Sequence, residues 1–510
     1  MNEDLLIKKL RRIAGDSNVL TDPADLYVYS FEGPFGLKRN STPIAIIRLE
    51  LTNINSITKA IAEISKFKDI QVIYRDDSFK NEIKKNMINS PSILLDLIKI
   101  PNLNELKKAY ASIKNRAKRI IQSDCPSLML ISILKDRLIY RCLNCSKSAG
   151  TECNGYCTVA RFFNGIETYS AKGRLILSRG LNKDEIKPTK RLIDSIYNCV
   201  TCAQCYAQCA LGLDLYEAVI ATRKKIVEMG LIPDVFKSTY KNILEHGNPI
   251  GMPCEERLIE LKELHENGEV LYWVGCITAY RLPEVYLSMI KILKEAKIKF
   301  KILKNEGCCG LILWLTGQWM EAKKNATLTL KKIKESSAKI LVTNCPGCYY
   351  TFKKIYPKFG LTLPVKIFHS SQFLDNLIKN GRLKIKKLRI NSTWHDPCDL
   401  GRKCGVYDAP RSILRNILDT KLIEMPLNKG YARCCGGGGG VLAFNPDLSL
   451  QIASLKIVED VLPLDVDTLI TGCPTCELNF KFAAQSNGYN IKIFDLTEVI
   501  NNATHKNHFK

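Results

Sequence analysis

Leu469-Ile470-Thr471-Gly472-Cys473-Pro474-Thr475-Cys476 repeats, 128 positions on, the stretch Leu341-Val342-Thr343-Asn344-Cys345-Pro346-Gly347-Cys348. Phe352-Lys353 returns at the same offset as Phe480-Lys481, and Lys366-Ile367-Phe368 returns as Lys492-Ile493-Phe494. A fixed offset shared by several words marks a duplication. In each copy β-prone apolar runs (271–274, 340–342, 392–394 and 469–470) alternate with helical stretches such as 287–296 and 321–334. That alternation predicts an α/β fold with parallel strands. Each run stops within a few residues of a cysteine, so Cys276, Cys345, Cys398 and Cys473 are expected at the carboxyl edges of strands, where open α/β sheets keep their sites. The Cys-Pro-x-Cys segments are expected to open helices, whose positive ends lower thiol pKa values and favour an anionic group.

Working outward, each copy carries five thiols in one order: Cys276-x31-Cys308-Cys309-x35-Cys345-x2-Cys348 and Cys398-x35-Cys434-Cys435-x37-Cys473-x2-Cys476. Buried structural cysteines obey no spacing rule, so ten thiols in register point to metal. Cys434-Cys435 is followed by five glycines, 436–440. Glycine loses the most freedom on folding and packs nothing. The run therefore reads as backbone opened for a bulky inorganic group, with Gly436, Gly437 and Gly438 as cradle and Cys434 and Cys435 as reactive soft ligands. The first copy has only Cys308-Cys309-Gly310 before apolar residues 311–315, so chemistry is expected in the second. His395, three residues before Cys398, is the candidate proton donor there, a hydrogen-bonded structural role being the alternative. Cys125, Cys254 and Cys404 fit no motif and read as packed residues, with Cys404 near enough to Cys398 to serve as a spare ligand.

Upstream, Cys199-x2-Cys202-x2-Cys205-x3-Cys209 has the spacing of bacterial ferredoxins. Cys142-x2-Cys145-x7-Cys153-x3-Cys157 is the same motif with five extra residues before its third cysteine. The crossed ligation of such pairs implies one [4Fe–4S] cluster on Cys142, Cys145, Cys153 and Cys209 and another on Cys199, Cys202, Cys205 and Cys157. Zinc on paired CxxC units is the rival, and it leaves the x2–x2–x3 rhythm unexplained.

The first 135 residues read as a small α/β segment: helices at 5–13 and 54–67, strands at 43–49 and 70–74. Residues 18–26 and 71–75 resemble the opening of flavin-binding domains in glycolate and D-lactate dehydrogenases. Those proteins follow the second strand with a glycine-rich turn, where this chain has Asp76-Asp77-Ser78-Phe79-Lys80. Adjacent carboxylates repel a pyrophosphate, so FAD binding by this chain is not expected, and the segment reads as a degenerate remnant or a docking module.

The paired five-thiol pattern resembles the cysteine-rich CCG domain family, which includes heterodisulfide reductase catalytic subunits and the iron–sulfur subunits of glycolate dehydrogenases. Residues 394–398, 405–411 and 434–440 look like those of heterodisulfide reductase D-type subunits, and 167–174 like the linker of glycolate oxidase iron–sulfur subunits. The resemblance implies one or two further [4Fe–4S] clusters, of a noncubane kind, on the ten CCG cysteines. It also implies disulfide cleavage by one-electron steps, or alternatively an electron relay for a glycolate/D-lactate-type FAD dehydrogenase. A zinc-stabilised scaffold is the non-enzymatic rival. The expected layout is an α/β segment at 1–135, a helical two-cluster ferredoxin-type domain at 136–235, and CCG domains at 236–385 and 386–510.

The composition agrees with a folded protein, 46% hydrophobic and 25% charged. A formal charge of +24 is spread along all 510 residues without an arginine-rich tract or zinc finger, so nucleic acid is not an expected partner. A flavoprotein or a quinone-linked membrane subunit is, because a two-electron donor must part with electrons singly before they reach iron–sulfur clusters. There is no apolar run of about 18 residues and no secretory leader pattern, and the 21 cysteines suit a reducing compartment. The expected location is the cytoplasm, or the inner face of the membrane as a peripheral subunit.

Overall fold

The computed structural model describes residues 3–32, 37–38, 45–50, 59, 71–75, 92–98, 157–164, 166–209, 214–261, 263, 265 and 267–505. Cys125, Cys142, Cys145 and Cys153, the turn at 76–80 and, apart from Lys59, the helix expected at 54–67 lie outside them. The described chain divides into two compact units, Met1–Ser195 and Ile196–Lys510.

In the first unit, helix Glu3–Ala14 precedes a four-stranded sheet in the order Val19–Leu20, Ala45–Glu50, Ser92–Ile98, Gln71–Arg75. The three longer strands run parallel. Helix Pro23–Tyr29 starts on Asp22, whose carboxylate accepts from the Ala24 N–H. Its buried face meets the helical stretch around 166–195: Asp25 accepts from the Thr168 hydroxyl and pairs with Arg191 at 3.0 Å, and Tyr27 donates to Glu185. Helix Ala171–Asn182 is capped by the Ser170 side chain and is apolar and buried at Leu175, Ile176 and Leu177. Cys157 stands just before helix Thr158–Phe162, with the Arg174 guanidinium 3.8 Å from its sulfur.

The second unit contains the duplication as two parallel sheets. The first has the order Lys366–His369, Ile340–Thr343, Val270–Trp273, Phe300–Lys301; the second has Ser392–His395, Thr468–Thr471, Lys492–Asp495. Register aligns Trp273, Thr343 and His369 in one and His395, Thr471 and Asp495 in the other. Those are the last residues of their strands, so the chain leaves both sheets at the same edge immediately before its cysteines. The central strands are buried along most of their length, the near-continuous apolar pattern of a parallel sheet covered on both faces. Helices Pro283–Glu295 and Trp319–Glu335 pack in the first copy, and helices Asp408–Ile417, Pro446–Lys456 and Pro474–Asn487 in the second. One hydrophobic core runs through both copies, joining Tyr286, Met289 and Val342 to Trp394, Ile470 and Val499.

Among the described residues, no helix is long and apolar enough to cross a membrane.

Candidate metal centre

The two Cys-Pro-x-Cys segments do open helices. Cys345 caps Pro346–Tyr350, its sulfur accepting from the Cys348 N–H at 3.4 Å, and Cys473 precedes Pro474–Asn487. Proline suits that first helical position because its missing N–H is one the helix would leave unbonded. Each vicinal pair is followed by a glycine at φ +87°, Gly310 and Gly436. The left-handed turn folds that glycine's N–H back onto the first sulfur of the pair, 3.3 Å to Cys308 and 3.4 Å to Cys434.

The fold brings the five thiols of each copy into one chain of contacts. In the first copy Cys276 meets Cys308, Cys308 meets Cys309, Cys309 meets Cys348 and Cys348 meets Cys345. In the second, Cys398 meets Cys434, Cys434 meets Cys435, Cys435 meets Cys476 and Cys476 meets Cys473. The middle thiol of each chain is the acidic one. Cys435 is held well below the usual thiol range by hydrogen bonds from Cys434 and Cys476, against the cost of burial and with help from His395. Cys309 is held down likewise by Cys308 and Cys348. Their donors show the complement: Cys434 and Cys476, like Cys308 and Cys348, are pushed well above the ordinary value by the same bonds and by burial.

The second site differs in three ways. His395 is fully buried at the end of its strand, within 4.8 Å of the sulfurs of Cys435 and Cys476, with its ring edge-on to Phe480 at 5.0 Å. Neither ring nitrogen has a nitrogen or oxygen partner, the Cys435 sulfur is the polar group it faces, and burial lowers its pKa. Trp273 holds the matching place in the first copy and packs edge-on to Phe352 at 5.1 Å.

Next, Cys202 of the 199–209 run reaches the second set and bonds to Cys434. That bond, against burial and aided by the charge of Arg402, pulls the Cys202 thiol down to about 6. Thr201 (φ 47°) and Ala203 (φ 59°) on either side sit in the left-handed region. That region is costly for a β-branched threonine, so the surroundings must hold the loop. Arg223 and Arg402 do so. The Arg223 side chain is completely buried and donates to the carbonyls of Cys199 and Gly439, both at 2.7 Å, of Leu315 at 2.8 Å and of Ile196. Arg402 donates to the Cys202 carbonyl at 2.7 Å and to Ala432.

The glycine run is the remaining difference. A Cβ on Gly436 would come 2.4 Å from the Ser449 carbonyl, one on Gly437 3.0 Å from Thr475, one on Gly438 2.9 Å from the Val200 carbonyl, and one on Gly439 2.4 Å from that of Cys199. The close approach that requires glycine at 438 and 439 is therefore to the backbone of the ferredoxin-type run. Gly310 in the first copy leads straight into helix Leu311–Leu315, whereas four more glycines precede helix Val441–Phe444 in the second.

Between the copies, His369 ties the two cysteine loops together. The Ser371 N–H donates to its Nδ1 at 3.2 Å, so the proton sits on Nε2, which is 3.1 Å from the carbonyls of both Asn344 and Gly472. Burial drives its pKa down to about 4, and the ring is neutral. Asn344 also donates to Asp495 and Thr497 of the second copy.

Of the remaining cysteines, Cys254 is exposed and its thiol donates to the His246 carbonyl, while Cys404 packs against Tyr349, Leu400 and Val406 with its pKa pushed up to about 12 by burial. Arg223, Arg402 and His369 escaped the sequence reading. Arg223 left one trace, since it falls in helical spacing with Val219, Ile220 and Ile226 on a buried face.

Two parallel sheets, each presenting five converging thiols at its carboxyl edge, define a tandem cysteine-rich protein. The family comparison agrees: the cysteine-rich domain known as CCG matches residues 270–353 and 392–481. The D-type component of the dihydromethanophenazine:CoB–CoM heterodisulfide reductase of Methanosarcina barkeri is 30% identical over 344 residues, 66% of this chain and 83% of that protein. The chain belongs to this CCG-domain family of iron–sulfur oxidoreductases. One component of the CoM/CoB fumarate reductase of Methanothermobacter marburgensis is 29% identical, covering 61% of this chain and 62% of that one. The probable iron–sulfur-binding oxidoreductase FadF of Bacillus subtilis is also 29% identical, over 60% of this chain and 46% of its own.

Proposed function

We propose that the chain is the iron–sulfur subunit of an oxidoreductase complex, and that electrons reach the second CCG site through the 199–209 run and there reduce a disulfide. The observation that carries this reading is the meeting of Cys202 with Cys434, because it joins a ferredoxin-type motif to one of the two five-thiol sets.

The donor chemistry fits iron–sulfur clusters. Five soft sulfurs in contact, with no nitrogen or oxygen bonded to the middle one of the second set except through His395, suit iron better than a hard cation. Cys398, Cys434, Cys435, Cys473 and Cys476 would hold one cluster, and Cys276, Cys308, Cys309, Cys345 and Cys348 another. Cys199, Cys202, Cys205 and Cys209, with Cys157 and the cysteines at 142, 145 and 153, would hold the ferredoxin-type pair. Bound clusters supply one-electron transfer and a site for sulfur. The reaction is R–S–S–R′ + 2e⁻ + 2H⁺ → RSH + R′SH, with a flavoprotein or quinol-linked partner as electron source. His395, buried beside Cys435, would hold a proton there. The relatives' names point the same way: three are heterodisulfide reductase subunits, and a fourth is a probable membrane-anchored ferredoxin.

Anaerobic protein reduced with a viologen should release thiol from small disulfides, and Cys435→Ser should stop that release. Fully loaded protein that reduces no disulfide yet exchanges electrons with a flavoprotein dehydrogenase would replace this reading with the relay.

A further inference from the structure

Arg402 is a half-buried cation that the proposed function leaves unused. It lies four residues after Cys398, in a segment that matches no cysteine motif. Nε donates to the Cys202 carbonyl at 2.7 Å, and Nη1 is bonded to the Ala432 carbonyl two residues before Cys434. Nη2 is buried with no hydrogen-bond partner. A guanidinium rarely leaves one prong of its fork unmatched in the interior, because stranding a charged donor is costly. The groups whose charge favours the cation are, in order, Cys202, Cys398 and Cys434, so this positive charge faces the junction of the ferredoxin-type run and the second thiol set.

The first copy has no cation at the matching position. Aligning Cys276 with Cys398 puts Tyr280 and Arg281 where the second copy has Arg402 and Lys403. Arg281 is exposed, and the charged groups buried beside the first set neutralise each other: Glu306 accepts from the N–H groups of Val274 and Gly275, and Arg257 is its ion pair at 3.0 Å. Lys403 is already matched, 2.6 Å from Asp399 and over the rings of Tyr216 and Tyr350. Arg402 is thus the cation of the second site with a free donor.

We propose that Arg402 is a positioning and tuning residue that raises the reduction potential of the group held by the second thiol set above that of the first, so that electrons arriving at Cys202 settle in the second copy. The proposal rests on the reading that both sets hold iron–sulfur clusters. A cluster gains a negative charge when it is reduced, and a nearby buried cation stabilises the reduced form more than the oxidised one. The buried Nη2 end of the guanidinium is screened by salt less than an exposed charge would be.

The test is an EPR-monitored potentiometric titration of the anaerobically loaded full chain, its two CCG signals assigned with Cys309→Ser and Cys435→Ser. Arg402→Gln should shift the oxidised-to-reduced ratio of the second signal at least about tenfold toward oxidised at a fixed potential, a fall of about 59 mV for a one-electron couple. The first signal should stay in place, and Arg402→Lys should fall between Gln and wild type. If Arg402→Gln loads no second cluster and Arg402→Lys restores it, the Arg402→Lys midpoint decides: a value below wild type supports the proposal and an unchanged one overturns it. Unmoved midpoints in a loaded Arg402→Gln, or loss of the cluster in both variants, would overturn it. Absence of any CCG signal in the wild type would instead remove the iron–sulfur reading on which the proposal depends.

Discussion

The two CCG copies share a backbone plan and differ in what they bury beside it. Both end three parallel strands in register, both turn a glycine at φ +87° after a vicinal cysteine pair, and both hold an acidic middle thiol between two neutral ones. Around that common frame the first copy has tryptophan, a carboxylate and an apolar helix at Trp273, Glu306 and residues 311–315. The second has His395, Arg402 and a glycine run against Cys199 and Val200. Duplication supplied the five-thiol geometry twice, and the proposed function assigns the chemistry to the copy whose neighbours diverged to a histidine, an arginine and a glycine run.

The largest effect is expected from making the second copy resemble the first at one position. His395→Trp restores the aromatic that already packs on the matching phenylalanine in the first copy and keeps all five thiols. Cluster loading and reduction by viologen should persist, while disulfide reduction falls by about two to four orders of magnitude, the usual worth of a positioned proton donor. Stopped-flow reduction alongside a thiol-release assay separates the two; undiminished thiol release would assign His395 to packing.

A smaller effect sharpens the comparison at the strand ends where His369 of the first copy corresponds to Asp495 of the second. Burial moves both toward neutrality: His369 down to about 4, Asp495 up to about 7. For Asp495 the folded state keeps a proton that the unfolded chain releases, so its contribution is full below about pH 4 and is lost as pH rises to about 7. His369 acts in the opposite sense, its contribution being lost as pH falls from about 6.5 to about 4. The two slopes oppose each other over much the same window. In Asp495→Asn the acid slope disappears, so variant minus wild-type stability should climb between about pH 4 and 7 to a few kcal/mol at most, reduced by the hydrogen bonds to Asn344 and Thr497 that the amide satisfies less well. Denaturant midpoints across that range measure it; parallel profiles would show that Asp495 ionises freely in the folded protein.

How much of this was legible in the sequence varied with the distance over which each feature acts. Short words repeated in register revealed the duplication, the parallel α/β copies and the strand-edge cysteines, because strand, turn and helix start are local. Strand limits agreed closely: the run at 340–342 became Ile340–Thr343 and that at 392–394 became Ser392–His395. The reason for the glycine run was not legible, since the atoms that forbid a side chain at Gly438 and Gly439 belong to residues more than two hundred positions earlier. Arg402 escaped for the same reason, its partner Cys202 being 200 residues away. His395 was visible as a histidine beside a motif, but only register with Trp273 showed what it replaced.

The most direct test of the central claim, that the second copy is the reactive end of the chain, is EPR with iron and sulfide quantitation on anaerobic wild type, Cys309→Ser and Cys435→Ser, each mixed with excess disulfide after reduction. The account predicts that disulfide changes the signal of wild type and of Cys309→Ser, and that Cys435→Ser loses that signal while keeping the ferredoxin-type clusters reducible. A disulfide response that survives in Cys435→Ser and vanishes in Cys309→Ser would contradict it.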